Sequence, residues 1–68
     1  MKIRDYTKPE LEYFREQCNF TDEEMIYFNL KAKDCSMIDI SLKMNVSTSQ
    51  VSKLAKRVSS KISRVSNN

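Results

Sequence analysis

Four six-residue stretches of the chain share one pattern: an apolar residue, Ser or Thr, two variable residues, then Glu, Asp or Gln, and a second apolar residue. They are YTKPEL (6–11), FTDEEM (20–25), CSMIDI (35–40) and VSTSQV (46–51). The pattern is that of a capping box inside a hydrophobic staple. In such a box the hydroxyl accepts from the N3 amide, and the N3 side chain accepts from the cap amide. Four such starts at this spacing restrict the chain to a series of short helices.

The boxes also predict where each helix lies. The expected helices span about 8–17, 22–33, 37–44 and 48–64, and connections of about two to four residues require consecutive helices to pack closely. The chain has no glycine and a single proline, Pro9, a composition that disfavours tight β-hairpins. We therefore predict a small all-α domain of four helices over residues 1–68, with frayed ends at 1–5 and 66–68.

The longest predicted helix carries an apolar stripe along one side. Its members recur at i, i+3, i+4, i+7 and i+11: Val51, Leu54, Ala55, Val58 and Ile62. Two uses are open for its C-terminal part. The stripe packs on Leu11 and Phe14 of the first helix, or, extended by Val65, it forms the seam of a homodimer. We expect the core role for Val58 and Ile62 and the seam for Val65.

Composition argues against an enzyme and against a bound cofactor. The chain has no histidine and no glycine for a phosphate-binding loop, and 68 residues leave little room for a pocket. Its two cysteines, Cys18 and Cys35, cannot complete a four-ligand zinc site. Each lies beside apolar residues, so we expect buried, reduced thiols. No apolar run is long enough to span a bilayer or to form a signal peptide, which predicts a cytoplasmic protein without a membrane partner.

Charge is distributed unevenly between the two halves of the chain. Residues 1–34 carry six basic and eight acidic side chains, a net of −2. Residues 35–68 carry six basic side chains and only Asp39, a net of +5, so that the two halves sum to the overall +3. A C-terminal half this rich in cations favours a polyanionic partner.

The segment KMNVS (43–47), between the third and fourth predicted helices, has the features of a helix-turn-helix turn. Such a turn needs one residue with positive φ, usually glycine, and asparagine is the best substitute for glycine there. Asn45 stands at that position. Ser41, four residues earlier, is small enough for the two helices to approach closely, and Val46 fills the angle between them. We therefore predict a helix-turn-helix.

The side of the fourth helix opposite its apolar stripe is polar and basic. At 100° per residue, five side chains fall within about 100° of arc; they are Ser49, Ser52, Lys53, Lys56 and Ser60. Three cations flank them: Arg57, Lys61 and Arg64. Small hydroxyls allow close approach to a major groove, while lysines reach phosphates or guanine edges. This face is therefore a candidate DNA-reading surface, and a merely solvated lysine and serine face is the alternative.

Gln50, in VSTSQV, has two chemically sound roles. As the N3 residue of the fourth box it would accept from the Ser47 amide; as an exposed glutamine it would read adenine with two hydrogen bonds. The other three boxes have Glu10, Glu24 and Asp39 at the same place. We therefore expect the capping role.

The region from Phe20 to Ile62, about two thirds of the chain, resembles the helix-turn-helix of the fourth region of bacterial sigma factors and of the related LuxR-type regulators. Those read roughly L-T-x-x-E…V-L-x-L-x-A-x-G-x-S…E-I-A-x-x-L-G-[IV]-[ST]-x-x-x-[IV]. The matching residues here are Phe20, Thr21, Glu24, Tyr27, Phe28, Leu30 and Ala32, then Ser36, Asp39, Ile40, Ser41, Met44, Asn45, Val46, Ser47 and Val51. Asp34 and Asn45 stand where those families have glycine. The resemblance implies that the DNA-facing residues are Thr48, Ser49, Ser52, Lys53 and Lys56.

These patterns together predict a sequence-specific protein that binds duplex DNA. We expect a small bacterial or phage transcriptional regulator that inserts the helix over 48–64 in the major groove. Two alternatives use the same fold. One is a protein-interaction module that docks on RNA polymerase or on a sigma factor, and the other is a DNA-packaging recognition subunit.

Overall fold

The computed structural model describes residues 3–66 of the chain. This range contains no β-strand, and its helices are a 3-10 helix at Ile3–Asp5, α1 (Lys8–Gln17), α2 (Asp22–Ala32), α3 (Met37–Met44) and α4 (Thr48–Ser66). The predicted all-α fold is confirmed. α1 and α3 have the predicted bounds, α2 ends one residue earlier, and α4 continues through Ser66, which we had predicted to fray. Residues 1–2 and 67–68, also predicted as frayed, lie outside the described range.

Capping boxes start the first three α-helices as the sequence predicts. At Thr7, Thr21 and Ser36 both halves of the box are present. The hydroxyl of Thr21 accepts from the Glu24 amide at 3.3 Å, and the Thr21 amide donates to the Glu24 carboxylate at 3.0 Å. Each box satisfies two helix-terminal donors that would otherwise need water.

The box at the start of α4 is only half formed. The hydroxyl of Ser47 accepts from the Gln50 amide at 3.2 Å. Among the described residues, however, no side chain accepts from the Ser47 amide. The prediction that Gln50 completes this box is therefore wrong, and Ser47 caps α4 alone.

Three connections between helices contain a non-glycine residue with positive φ. These residues are Asn19 (52°), Asp34 (64°) and Asn45 (57°). Asparagine and aspartate tolerate this region because their short polar side chains bond locally. The prediction for Asn45 is confirmed, and Asp34 has the backbone that a glycine would adopt. Asn19 is a third such position, which the sequence patterns did not indicate.

The connection between α3 and α4 has helix-turn-helix geometry. The Asn45 amide donates to the Leu42 carbonyl at 3.3 Å, and the Val46 amide donates to the Ser41 carbonyl at 3.0 Å. These two bonds form a Schellman motif, which satisfies the last carbonyls of α3. Ser41 is buried and its hydroxyl donates to the Ile38 carbonyl at 2.7 Å. A small side chain at this position lets α3 and α4 pack closely, as the sequence predicts.

The core lies between α2, α3 and α4 and is closed by α1. Its most deeply buried side chains are Phe28, Ile40, Val51, Leu54 and Val58. The predicted core role of Val58 and Ile62 is confirmed, because both are buried. Val65, which we expected in a dimer seam, is half-buried against the core of its own chain, and its place in a seam stays a prediction. The cause of its burial is the course of α4, whose last turns run beside residues 17–19 at the end of α1.

The segment Ile3–Asp5 is ordered as a 3-10 helix, although the sequence predicted a frayed end there. Ile3 is half-buried against the core and, with Tyr6, lines a depression beside Ile62 of α4. The ring centroid of Tyr6 lies 4.9 Å from that of Phe14 in α1. Apolar contact with elements distant in sequence therefore holds this segment.

Both cysteines are free thiols. Cys18 is buried, and Cys35 is half-buried. Burial raises the pKa of Cys18 above its ordinary value, and the nearby Lys61 lowers it by a smaller amount. A protonated, buried thiol is a poor nucleophile. The prediction of a buried, reduced thiol is thus confirmed for Cys18, and Cys35 is only partly covered.

Candidate nucleic-acid interface

α4 is buried along one side and exposed along the other. Its buried residues are Val51, Leu54, Val58 and Ile62, so the opposite side of the helix points to solvent. Seven of the nine predicted site residues are exposed: Thr48, Ser49, Lys53, Lys56, Arg57, Ser60 and Arg64. The other two, Ser52 and Lys61, are half-buried.

Four of the exposed residues, Ser49, Lys53, Lys56 and Ser60, form the centre of this side, and we call them the α4 arc. At 100° per residue they fall within about 60° of one another around the helix. Within residues 3–66 neither ammonium group, on Lys53 or on Lys56, has an ion pair or a hydrogen bond. Their charges are therefore not neutralised inside the protein and are available to an external anion.

Ser52 and Thr48 stand beside the α4 arc. The hydroxyl of Ser52 donates to the sulfur of Met37 in α3 at 3.7 Å, a weak bond between the two helices of the motif. Thr48 is the first residue of α4 and is exposed. Both hydroxyls thus lie at the N-terminal half of α4, next to the turn that sets its direction.

The structure separates the ammonium group of Lys61 from the other predicted site residues. Its ammonium group forms an ion pair with the carboxylate of Glu24 in α2 and donates to the Asn19 carbonyl at 3.3 Å. The side chain of Glu24 is 3% exposed and that of Lys61 is 27% exposed. A carboxylate as deeply buried as this needs a partner. Lys61 therefore has a structural role between α2 and α4.

The surroundings of Glu24 lower the pKa of its carboxyl group. Burial by itself would raise the pKa of this carboxyl, but the hydrogen bond from Lys61, the backbone amide of Thr21 and the charge of Lys61 together hold the pKa below its ordinary value. Glu24 is thus ionised at neutral pH. It serves at once as the N3 residue of the α2 box and as the partner of a cation on α4.

Arg57 and Gln50 lie on the edge of α4 that faces the start of α2. They line a shallow depression together with Leu54, Thr21, Asp22 and Glu23. Asp22 and Glu23 are exposed, and the helix dipole favours acidic side chains at this end of α2. Gln50 is half-buried in the depression, away from both the Ser47 amide and the α4 arc. The guanidinium of Arg57 stands between an acidic edge and the arc.

Sequence reasoning missed the ion pair between Glu24 and Lys61, although one signal for it was present. Lys61 follows Leu54 by seven residues and Val58 by three, so helical geometry puts it beside the buried stripe. A lysine there either extends to solvent or finds a buried partner. The identity of that partner depends on how α2 packs on α4, which no local pattern contains.

The exposed side of α4 offers hydroxyl groups and cations, a chemistry suited to binding an anionic surface. Within residues 3–66, no group of three or more His, Cys, Asp or Glu side chains is arranged to hold a metal ion. No helix in that range combines the length and the apolar character that a bilayer crossing requires.

Comparisons with models of known protein families, with curated proteins and with solved structures found no significant match to this chain. The resemblance to sigma-factor and LuxR-type domains therefore rests on the residues quoted above and remains an expectation. The structure is thus that of a small all-α domain of four helices with a helix-turn-helix.

Proposed function

We propose that the protein binds duplex DNA through α4, with the N-terminal half of this helix in the major groove. The observation that carries the proposal is the α4 arc, in which two unpaired ammonium groups and two serine hydroxyls lie on the exposed side of the second helix of a helix-turn-helix. A major groove is wide enough to admit a helix, and phosphates line its rim. The charge and the shape of α4 both suit that surface.

The residues of α4 fall into two groups by what they would contact. Ser49, Ser52, Lys53 and Lys56 would face base edges, because they lie near the start of the helix, where helix-turn-helix proteins read the groove. Arg57 and Arg64 would contact phosphates beside the groove, and Thr48 and Ser60 would support them with hydroxyl donors. Lys61 is left out, since its ammonium is bound to Glu24.

This activity fits a small regulator of transcription in a bacterium or a phage. Such a regulator works on DNA in the cytoplasm, so the proposal also assigns the protein to that compartment. A regulator of this kind needs no cofactor and no catalytic group, because its effect follows from occupying a site on DNA.

The test is a selection of bound sequences from a pool of random duplexes, followed by anisotropy titration of the enriched site. Replacing Lys53 and Lys56 together by Ala should weaken binding at least about tenfold, because each lysine contributes to phosphate or base contacts. Lys8→Ala, which removes an exposed lysine from α1, is the matched control and should bind like the wild type.

Two results would count against the proposal. In the first, the selection enriches no duplex sequence relative to the unbound pool. In the second, the variant that lacks both Lys53 and Lys56 binds the duplex as well as Lys8→Ala does. Retention on RNA polymerase without any binding to DNA would favour the interaction-module alternative.

A further inference from the structure

The outward side of α3 is apolar and uncovered. Leu42 is 74% exposed and Ile38 is 65% exposed, while Met37 beside them is 39% exposed. Ile38 and Leu42 are four residues apart and therefore lie on one face of the helix. Within residues 3–66 nothing packs over this pair, which we call the α3 face.

Helix geometry prevents α3 from burying this face in its own core. The core side of α3 is already occupied by Ile40, which is completely buried, and by Ser41. Ile38 and Leu42 lie roughly 160° from Ile40 around the helix. No rotation of α3 can bury both sides, so the packing of residues 3–66 leaves the α3 face open to a second molecule.

The charges that border the α3 face make it complementary to itself. Asp39 follows Ile38 by one residue and Lys43 follows Leu42 by one residue, so both charges lie along the same edge of the apolar pair. If two copies of α3 pack antiparallel about a two-fold axis, Ile38 meets Leu42 of the partner copy, and Asp39 meets its Lys43. A single axis satisfies both pairings.

Other arrangements of two α3 helices lack this match. Parallel packing about an axis along the helices would put the charged edges of the two copies on opposite sides of the interface, so Asp39 would not meet Lys43 of the partner copy. Both side chains are exposed, and within residues 3–66 the only bond of the Lys43 ammonium is a weak one to the Cys35 sulfur at 3.8 Å. The lysine can therefore turn to a partner at little cost.

The two edges of the α3 face lead to different neighbours. Met37 lies towards α4, where its sulfur accepts from Ser52, whereas Lys43 lies towards Cys35 in the connection between α2 and α3. The charged edge thus faces away from α4. Pairing along it would leave the α4 arc of both copies open.

We propose that the α3 face is a self-association surface, on which two copies of this chain pack their α3 helices antiparallel about a two-fold axis. The surface is distinct from the α4 arc and does not need DNA. Two short helices bury a small area, below about 1,200 Å², so the dimer belongs to the weak, transient class. It forms at high protein concentration or when two copies are brought together on one duplex.

Sedimentation equilibrium of the free protein, carried up to the highest soluble concentration, tests the surface. The wild type should show a monomer–dimer equilibrium, and Leu42→Ser should weaken it at least about tenfold, as expected for a central apolar contact. Tyr13→Ser is the matched control, since Tyr13 is 50% exposed on α1, and it should leave the equilibrium within about twofold of the wild type. Thermal melts verify that all three proteins are folded.

Charge reversal tests the two-fold pairing itself. Lys43→Asp alone should abolish the dimer, because it opposes two carboxylates, and Asp39→Lys alone should do the same with two ammonium groups. An equimolar mixture of the two variants should associate again, because each variant then offers the charge that the other lacks. Asp39 also accepts from the Ser36 amide at 3.4 Å, so a melt must show that Asp39→Lys is folded. If that variant is unfolded, the test of the surface rests on Lys43→Asp and Leu42→Ser.

The proposal is overturned if the wild type remains monomeric at all concentrations, or if Leu42→Ser and Tyr13→Ser associate equally. Association that survives Lys43→Asp would mean that the copies meet by another geometry. Because these measurements contain no DNA, their failure would leave the proposed DNA binding untouched, and failure to bind DNA would leave this surface untouched.

Discussion

Asn45 has the left-handed backbone (φ 57°, ψ 46°) that the turn between α3 and α4 requires. A Cβ in this region costs about 1–2 kcal/mol, and asparagine recovers part of that cost through local polar contacts. We expect Asn45→Ala to lower the free energy of unfolding by about 1 kcal/mol and Asn45→Gly to preserve or raise it. Urea unfolding measures both, with the exposed helical change Lys43→Ala as control. Equal stability of the Ala and Gly variants would contradict the strain argument.

Glu24 links the start of α2 to Lys61 on α4 from a buried position. Glu24→Gln keeps the shape and part of the capping box but removes the charge, so it should lower the free energy of unfolding by about 1–3 kcal/mol. Glu10→Gln is the matched control, because Glu10 completes the α1 box while exposed and has no ion pair with another described residue; we expect a loss below about 0.5 kcal/mol. Similar losses in the two variants would mean that only the box matters.

The same carboxylate predicts a pH dependence of stability. The pKa of Glu24 is lower in the folded protein than its usual unfolded value of about 4.3. The stabilisation is therefore fully present above that unfolded value and is lost as the pH falls through the lower, folded-state pKa. Urea titrations at a series of acidic pH values should show a smaller loss for Glu24→Gln than for the wild type. An equal loss of stability in the two proteins would contradict the assignment of this pH dependence to Glu24.

At the scale of single elements, the start of α4 differs from the other three helix starts. Among the described residues, Ser47 alone caps this helix with its side chain, because Gln50 is turned towards α2. Ser47→Ala should therefore cost about 1 kcal/mol of unfolding free energy, and Gln50→Ala should cost less than half of that. Thermal melts of the two variants separate the roles. A larger loss from Gln50→Ala than from Ser47→Ala would instead indicate that Gln50 completes the capping box.

The lysines of the α4 arc and the two arginines that flank it should differ in what they contribute to DNA binding. We expect Lys53→Ala and Lys56→Ala to weaken binding and to relax the base preference, because they lie at the centre of the exposed side. Arg57→Ala and Arg64→Ala should weaken binding about equally on all sequences, as phosphate contacts do. Repeating the selection from random duplexes with each variant measures the preference. If all four variants had the same effect, the division into base-reading lysines and phosphate-contacting arginines would be wrong.

At the scale of the whole molecule, charge separation predicts how binding responds to salt. Four exposed cations are available on α4, and Asp22 and Glu23 border them on one side only. If each copy neutralises about four phosphates, the logarithm of the binding constant should fall with the logarithm of salt concentration with a slope near −4. Anisotropy titrations over a range of salt concentrations measure the slope. Binding indifferent to salt would exclude the phosphate contacts.

The sequence by itself determined the helix starts and the turn of the helix-turn-helix. A capping box spans four residues and a positive φ is a property of one residue, so the interactions that set them are local and can be read along the chain. The basic, exposed side of α4 was also predictable, because the buried stripe of Val51, Leu54 and Val58 fixes the orientation of the helix about its own axis.

Only the tertiary structure decided which faces of distant helices meet. Packing of α2 on α4 paired Lys61 with Glu24 and drew Gln50 away from its cap, and packing against α2 and the core ordered the segment Ile3–Asp5. Packing also left most of the Leu42 side chain of α3 exposed. A helical repeat says which residues share a face but not what covers that face, because burial depends on residues far away in the sequence.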